Sequence, residues 1–193
     1  MIFLIRHGQT EFNVQRRLQG RMDSPLTPLG TQQAERMGRV LRDFIEEPER
    51  WIIVSSPLGR TLRTAEIVCQ TMGLGCAIET DSRLAEIDVG EWEGLSREEI
   101  EAASPGLCDA EGWIFGAPGG ETHADVTARV RAVLADHDET DGRRRLFVAH
   151  GLSGGLLREV YAGAPHRAPW PPQDAVFRLW QGTVGRIDED VDA

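Results

Sequence analysis

The chain has 193 residues, 40% of them hydrophobic and 27% charged, which excludes disordered, fibrous and collagen-like classes. At ~100 to 200 residues per domain, one domain over 1–193 is expected, and it can bury roughly 70% of its unfolded surface without disulfides or metal. The 31 acids outnumber the 21 bases, for a net charge of −10, so neither a general grip on nucleic acid nor docking on an anionic membrane is expected.

Ile2 to Ile5 is a short apolar run halted by Arg6-His7-Gly8, which predicts a buried strand ending in a loop. The run is too short for a signal-peptide core or a membrane span, and a cytoplasmic protein is expected. Thr27-Pro28 reads as a helix cap with proline at the first helical position, and Ala34, Met37, Leu41 and Phe44 keep a helical register that Pro48 closes. Trp51 to Val54 predicts a second buried strand. Ser55-Ser56-Pro57 leads into a helix carrying Leu62, Ala65, Cys69 and Met72, ended by Gly73 and Gly75. A short strand over Ala77 to Glu79 follows.

The stretch from about 83 to 120 is loop-rich, with a capping box at Ser96 to Glu99, and predicts a cap over a site. From Thr122 a helix carries Val126, Val130 and Val133. Leu146 to Ala149 predicts a further strand, followed by His150-Gly151 and another loop and helix. Ala175 to Trp180 and Val184 to Ile187 predict a closing strand pair around Gln181-Gly182. Strands alternating with helices imply an α/β domain, a three-layer α/β/α sandwich on a mostly parallel sheet.

In such sheets ligands sit beyond the carboxyl ends of the strands. Arg6-His7-Gly8, Ser55-Ser56 with Arg60, and His150-Gly151 all fall there. Two imidazoles at one sheet edge suit a metal site, a proton relay or a nucleophile with a helper. No third ligand stands at zinc spacing, which makes metal the weaker reading. Arg6 and Arg60 favour phosphoryl chemistry, since guanidinium forks match phosphate oxygens. All 21 bases are arginine, so a phosphate site here is built from guanidinium, imidazole and backbone N–H groups. Cys69, Cys76 and Cys108 have neither C-x-x-C spacing nor an even count, and are expected to be reduced thiols.

Four segments resemble the motifs of one family in its order. Arg6-His7-Gly8-Gln9-Thr10-Glu11-Phe12-Asn13 is similar to R-H-G-x-T-x-x-N, and Ser55-Ser56-Pro57-Leu58-Gly59-Arg60 opens a match to S-S-x-L-x-R-x-x-x-T-A. Leu84 to Gly94 resembles L-x-E-x-x-x-G-x-W-E-G, and Val148-Ala149-His150-Gly151 resembles V-x-H-G. The family is the histidine phosphatase superfamily, also called the cofactor-dependent phosphoglycerate mutase-like family. The resemblance implies a phosphoglycerate mutase-like fold, with His7 as a nucleophile that becomes phosphohistidine. It implies that Arg6, Arg60 and His150 hold the phosphoryl oxygens and that Glu86 is the general acid. It places Asn13 at a phosphate contact and Gln19-Gly20 at substrate-contacting backbone.

The glycolytic mutases of this family carry added segments that 193 residues do not accommodate. Glu91-Trp92-Glu93-Gly94 is closer to the phosphatase branch. Metal-independent hydrolysis of a small phosphomonoester is therefore the leading expectation, with mutase-type transfer second and a weakly catalytic phospho-ligand module third. No cofactor is called for. Arg16, Arg17 and Arg21 are candidates for reading a second anionic group, against a solvated basic surface. Arg63 is expected to be an ion-pairing helix residue, and Trp92, Trp113, Trp170 and Trp180 to be core or lid residues. His123, His137 and His166 are expected at the surface. The assembly is left open between monomer and homodimer.

Overall fold

The computed structural model describes residues 1–73, 75, 77–137, 142–165 and 171–189. The apolar runs become strands β1 (Ile2–Arg6), β2 (Trp51–Ser55) and β4 (Arg144–Ala149), each buried along almost its whole length. With β3 (Ile78–Thr80), β5 (Val176–Trp180) and β6 (Thr183–Arg186) they form one sheet in the order β3-β2-β4-β1-β5-β6. The first four are mutually parallel, and β5 and β6 add antiparallel to β1 and to each other. The expected mostly parallel sheet is thus observed, with β3 shifted by one residue from the sequence reading.

Strands with both faces covered must be apolar on both, which is why these runs show no polar alternation. Ile2, Leu4, Ile52, Val54, Phe147 and Ala149 point to one layer; Phe3, Ile5, Ile53, Leu146 and Val148 point to the other. On the second face lie α2 (Pro28–Phe44) and α3 (Gly59–Met72). Thr27 caps α2 by accepting from Gly30 N at 3.0 Å. This helix ends at Phe44, before Pro48, which instead begins a short 3-10 turn. Gly73 ends α3 at φ 71°, a left-handed position that suits glycine.

On the first face lie α5 (His123–Asp136) and α6 (Gly151–Ala162). Against this same face packs the 83–120 segment, which has 3-10 turns and one helix, α4 (Arg97–Ala103). It sends Leu84, Ile87, Val89, Trp92, Ile100 and Ile114 into the core of that face, so it is anchored by burial along its length. One short helix, α1 (Glu11–Val14), was not expected; Thr10 and Asn13 close a capping box around it.

Two side-chain expectations change. Trp180 is 46% exposed on the edge hairpin and belongs to neither core nor cap. His137 is not a free surface residue, because its ring packs edge-on against Phe147 and its Nε2 lies 3.6 Å from Asp81. Arg63 pairs with Glu66 at 2.9 Å, one turn along α3. Cys69 and Cys108 are buried, while Cys76, His166 and Trp170 lie outside the described residues. Among the described residues, no helix is long and apolar enough to cross a membrane.

Candidate active site

β1 and β4 are adjacent and parallel, with Arg6 in register with Ala149, so the residues that follow them leave the same sheet edge side by side. His7 and His150 therefore meet with ring centroids 5.2 Å apart in an edge-to-face arrangement. His7 N donates to Ala149 O at 3.1 Å, continuing the ladder one step beyond the strand. The two histidines owe their approach to the sheet itself.

The His7 ring is fixed by its own neighbour: Nδ1 lies 2.8 Å from Gly8 O. A carbonyl only accepts, so Nδ1 carries the proton and Nε2 keeps its lone pair. Burial, then the charges of Arg6 and Arg60, hold the imidazole well below its ordinary pKa and therefore neutral. His150 Nε2 lies 2.8 Å from Ser56 Oγ, which also takes a long 3.4 Å bond from Leu58 N. With the hydroxyl proton turned to Nε2, the ring proton sits on Nδ1, a buried nitrogen with no protein partner. Burial, followed by His7 and the two arginines, keeps His150 neutral as well.

The turn after β1 is held by contacts that exclude side chains. Gly8 N donates to Thr64 Oγ1 on α3 at 3.1 Å. A Cβ at Gly8 would come within 2.2 Å of Gly30 O, and one at Gly30 within 2.0 Å of Gln9 O. The loop after β1 thus lies directly on the first turn of α2. The glycine of R-H-G is required by this approach.

Arg60, in the first turn of α3, is almost wholly buried. It donates to Gly20 O at 2.9 Å, Met22 O at 2.7 Å and Asp23 Oδ1 at 3.2 Å, which holds the 19–23 turn against the site. Gly20 adopts φ 50° there, and Gln19 is buried with Oε1 unpaired. Glu86 comes from the cap. Its carboxylate accepts from Ser153 N at 2.9 Å, Leu152 N at 3.2 Å and its own following amide, Ile87 N, at 3.0 Å, and so docks on the N-terminus of α6.

Arg6, His7, Asn13, Gln19, Gly20, Arg60 and Glu86 all line one open cleft of about 240 Å³, walled on its outer side by Arg17, Leu18, Val89 and Leu152. His150 flanks the cleft from behind His7. Every sequence-predicted site residue is therefore brought to one place. Of the outer arginines, Arg17 is tied to Glu99 at 3.3 Å and Arg21 to Glu121 at 3.3 Å. Among the described residues, no group of three or more His, Cys, Asp and Glu side chains converges as metal ligands would.

Two contributors had no signal in the sequence. Gln173, just before β5, donates from Nε2 to His7 O and to Asn13 Oδ1, both at 3.1 Å, linking the loop after β1 to α1. Arg129 on α5 donates to the carbonyls of Arg83, Ala85 and Glu86 and pairs with Glu121 at 2.8 Å. Each reaches the site from far along the chain through backbone carbonyls, which no motif spacing records.

The family profile described as Histidine phosphatase superfamily (branch 1) matches residues 2–175. A curated protein of Salmonella paratyphi C called probable phosphoglycerate mutase GpmB is 39% identical over 197 residues, covering 97% of this chain and 84% of its own. The solved structure of Bacillus stearothermophilus YhfR superposes with TM-score 0.79 at 35% identity, over 96% of this chain and 94% of that one. A mycobacterial glucosyl-3-phosphoglycerate phosphatase, solved with VO3, gives TM-score 0.72 at 29% identity, over 92% of each chain.

Proposed function

Since the chain belongs to the histidine phosphatase superfamily, we propose that it hydrolyses a small phosphomonoester through a phosphohistidine formed on His7. The observation that carries this reading is the Nδ1 to Gly8 O bond, which leaves a neutral Nε2 lone pair on a ring that lines a cleft shared with two arginines and a carboxylate.

Nε2 attacks phosphorus in line with the ester oxygen; the N–P bond forms as the P–O bond to the leaving group breaks. Arg6, Arg60 and the Nδ1–H of His150 take the charge of the equatorial oxygens, which is the main demand of phosphoryl transfer. Glu86 in its acid form gives its proton to the leaving alkoxide. Its carboxylate then takes a proton from water, which attacks phosphorus, frees His7 and releases phosphate. Asn13, with its Oδ1 occupied by Thr10 and Gln173, has its amide nitrogen free to donate to the substrate. Gln19 and the backbone at Gly20 complete the floor of the cleft. Charge compensation comes from guanidinium and imidazole, so turnover is expected to survive EDTA.

The relative called a probable phosphoglycerate mutase favours a second reading, in which a hydroxyl of the bound substrate takes the phosphoryl group in place of water. The solved phosphatase among the structural neighbours supports hydrolysis. Purified wild type and His7→Ala, given p-nitrophenyl phosphate, 3-phosphoglycerate and a panel of phosphomonoesters, decide between them. Phosphate release lost in His7→Ala is the expected result. Isomerisation of 3-phosphoglycerate without net release would make it a mutase. Silence in both channels would favour a phospho-ligand binding module.

A further inference from the structure

Beside Arg6, α6 and β5 border a second cavity of about 20 Å³. It shares Arg6 and Gly151 with the cleft and is also lined by His150, and its other walls include Gly154, Arg158, Pro172 and Phe177. Arg158 is 6% exposed. Its guanidinium carbon stands 4.3 Å from the centre of the Phe177 ring, and its Nε and Nη2 are buried with no hydrogen-bond partner. Arg6 Nε, on the same cavity, is equally unpaired. Three unpartnered guanidinium nitrogens, with four N–H groups between them, thus belong to two arginines that line one small space, and among the described residues no carboxylate lines it.

A buried charge is costly unless it is paired, and two of like sign raise the cost. Burial and the charge of Arg6 push Arg158 down to about 10, with Glu159 acting in the other direction. A water molecule accepts only two of the four hydrogen bonds and offsets no charge; a monovalent anion of chloride size accepts more of them and offsets charge as well. We propose that this cavity is a halide site, in which one chloride-sized anion bridges Arg6 Nε and the Arg158 guanidinium. The anion completes the rear of Arg6 and so fixes the plane of a guanidinium whose other nitrogens serve the cleft. The site depends on no catalytic reading of that cleft.

Bromide is the probe. Thermal unfolding in sodium bromide against sodium gluconate, at equal ionic strength, is expected to show a saturable rise in Tm for wild type and equally for His7→Ala, and no rise for Arg158→Met. Crystals of the wild-type protein grown in bromide should show an anomalous peak in contact with Arg6 Nε and Arg158. A cavity without that peak overturns the proposal, whatever the variants do. So does a bromide response that persists in full in Arg158→Met, or a peak found only in the cleft beside Arg60. Failure of the hydrolase reading would appear as absent turnover and would leave the bromide response intact.

Discussion

Arg129 Nη2 donates to the backbone carbonyl of Glu86 at 3.2 Å, while Nη1 of the same guanidinium grips the carbonyls of Arg83 and Ala85. The segment that carries Glu86 is therefore clamped by a residue that does not line the cleft. Arg129→Met should lower kcat by about 100-fold, the usual cost of misplacing a reacting group by about 1 Å, with little change in KM. Stability should fall by about 2 kcal/mol, because Glu121 and three carbonyls lose a partner but keep some access to water. Steady-state kinetics beside urea unfolding separate the two effects; a rise in KM at constant kcat would contradict a positioning role.

Both active-site imidazoles are held well below the ordinary value of 6.5, chiefly by burial. In the folded chain they stay neutral as pH falls past 6.5, whereas in the unfolded chain they take up protons. The unfolded state then binds more protons, so stability should decline as pH drops from about 6.5 toward the depressed folded values and be independent of these groups above it. The decline should be shallower in the double variant His7→Asn, His150→Asn, measured by denaturant midpoints from pH 7.5 to 4.5. An unchanged slope would show that the two rings are charged in the fold.

The same depression keeps Nε2 of His7 unprotonated in mild acid. The acid limb of kcat/KM, which reports the free enzyme, should lie well below pH 6.5. A limb at 6.5 would contradict an imidazole held neutral by burial.

Ser56 orients His150 through one buried bond of 2.8 Å. Ser56→Ala removes it and frees the ring tautomer, and one such bond is worth about 1 kcal/mol. Turnover should fall by roughly 5-fold on this basis, and inhibition by vanadate should weaken in parallel, since both are expected to rely on the Nδ1–H. Ser56→Thr, which keeps the hydroxyl, should recover part of the loss; equal losses in both variants would point to packing alone.

Gly8→Ala places a methyl group 2.2 Å from the carbonyl oxygen of Gly30, a clash of backbone with side chain that no rotamer relieves. A loss of about 3 kcal/mol is expected, together with a displaced His7. Gly163→Ala is the control: it has no atom within 4 Å of a new Cβ, so it tests the strain of positive φ by itself.

The layers were legible in the sequence because β1, β2 and β4 are continuous apolar runs and the helix caps Thr27, Ser96 and Thr122 stand at recognisable offsets. The cleft residues were legible for a different reason: all of them sit in short segments just past a strand or in a motif whose spacing is local. What escaped was non-local. Gln173 and Arg129 reach backbone carbonyls 166 and 46 residues away, and backbone acceptors have no residue type to read. Trp180 escaped because an aromatic at an edge hairpin follows the same alternation as one in the core, and only the sheet order reveals that β6 closes the edge. Asn13 lines the cleft, but its part in the capping box of a four-residue helix, as the partner of the N-cap Thr10, shows only when Thr10 folds back on it.

The adjacency of His7 and His150 is set by the hydrogen-bond ladder between β1 and β4, whereas Arg17, Leu18 and Leu152 on the cleft wall come from outside those strands. The histidine pair and this rim are thus built by different parts of the chain. Substitutions along the rim can change which ester is accepted without altering the interval between the two rings, while a register slip of one residue in either strand would abolish the pair at once. Selectivity and reactivity in this molecule are therefore separable by mutation, and a library confined to the rim would explore the first while holding the second constant.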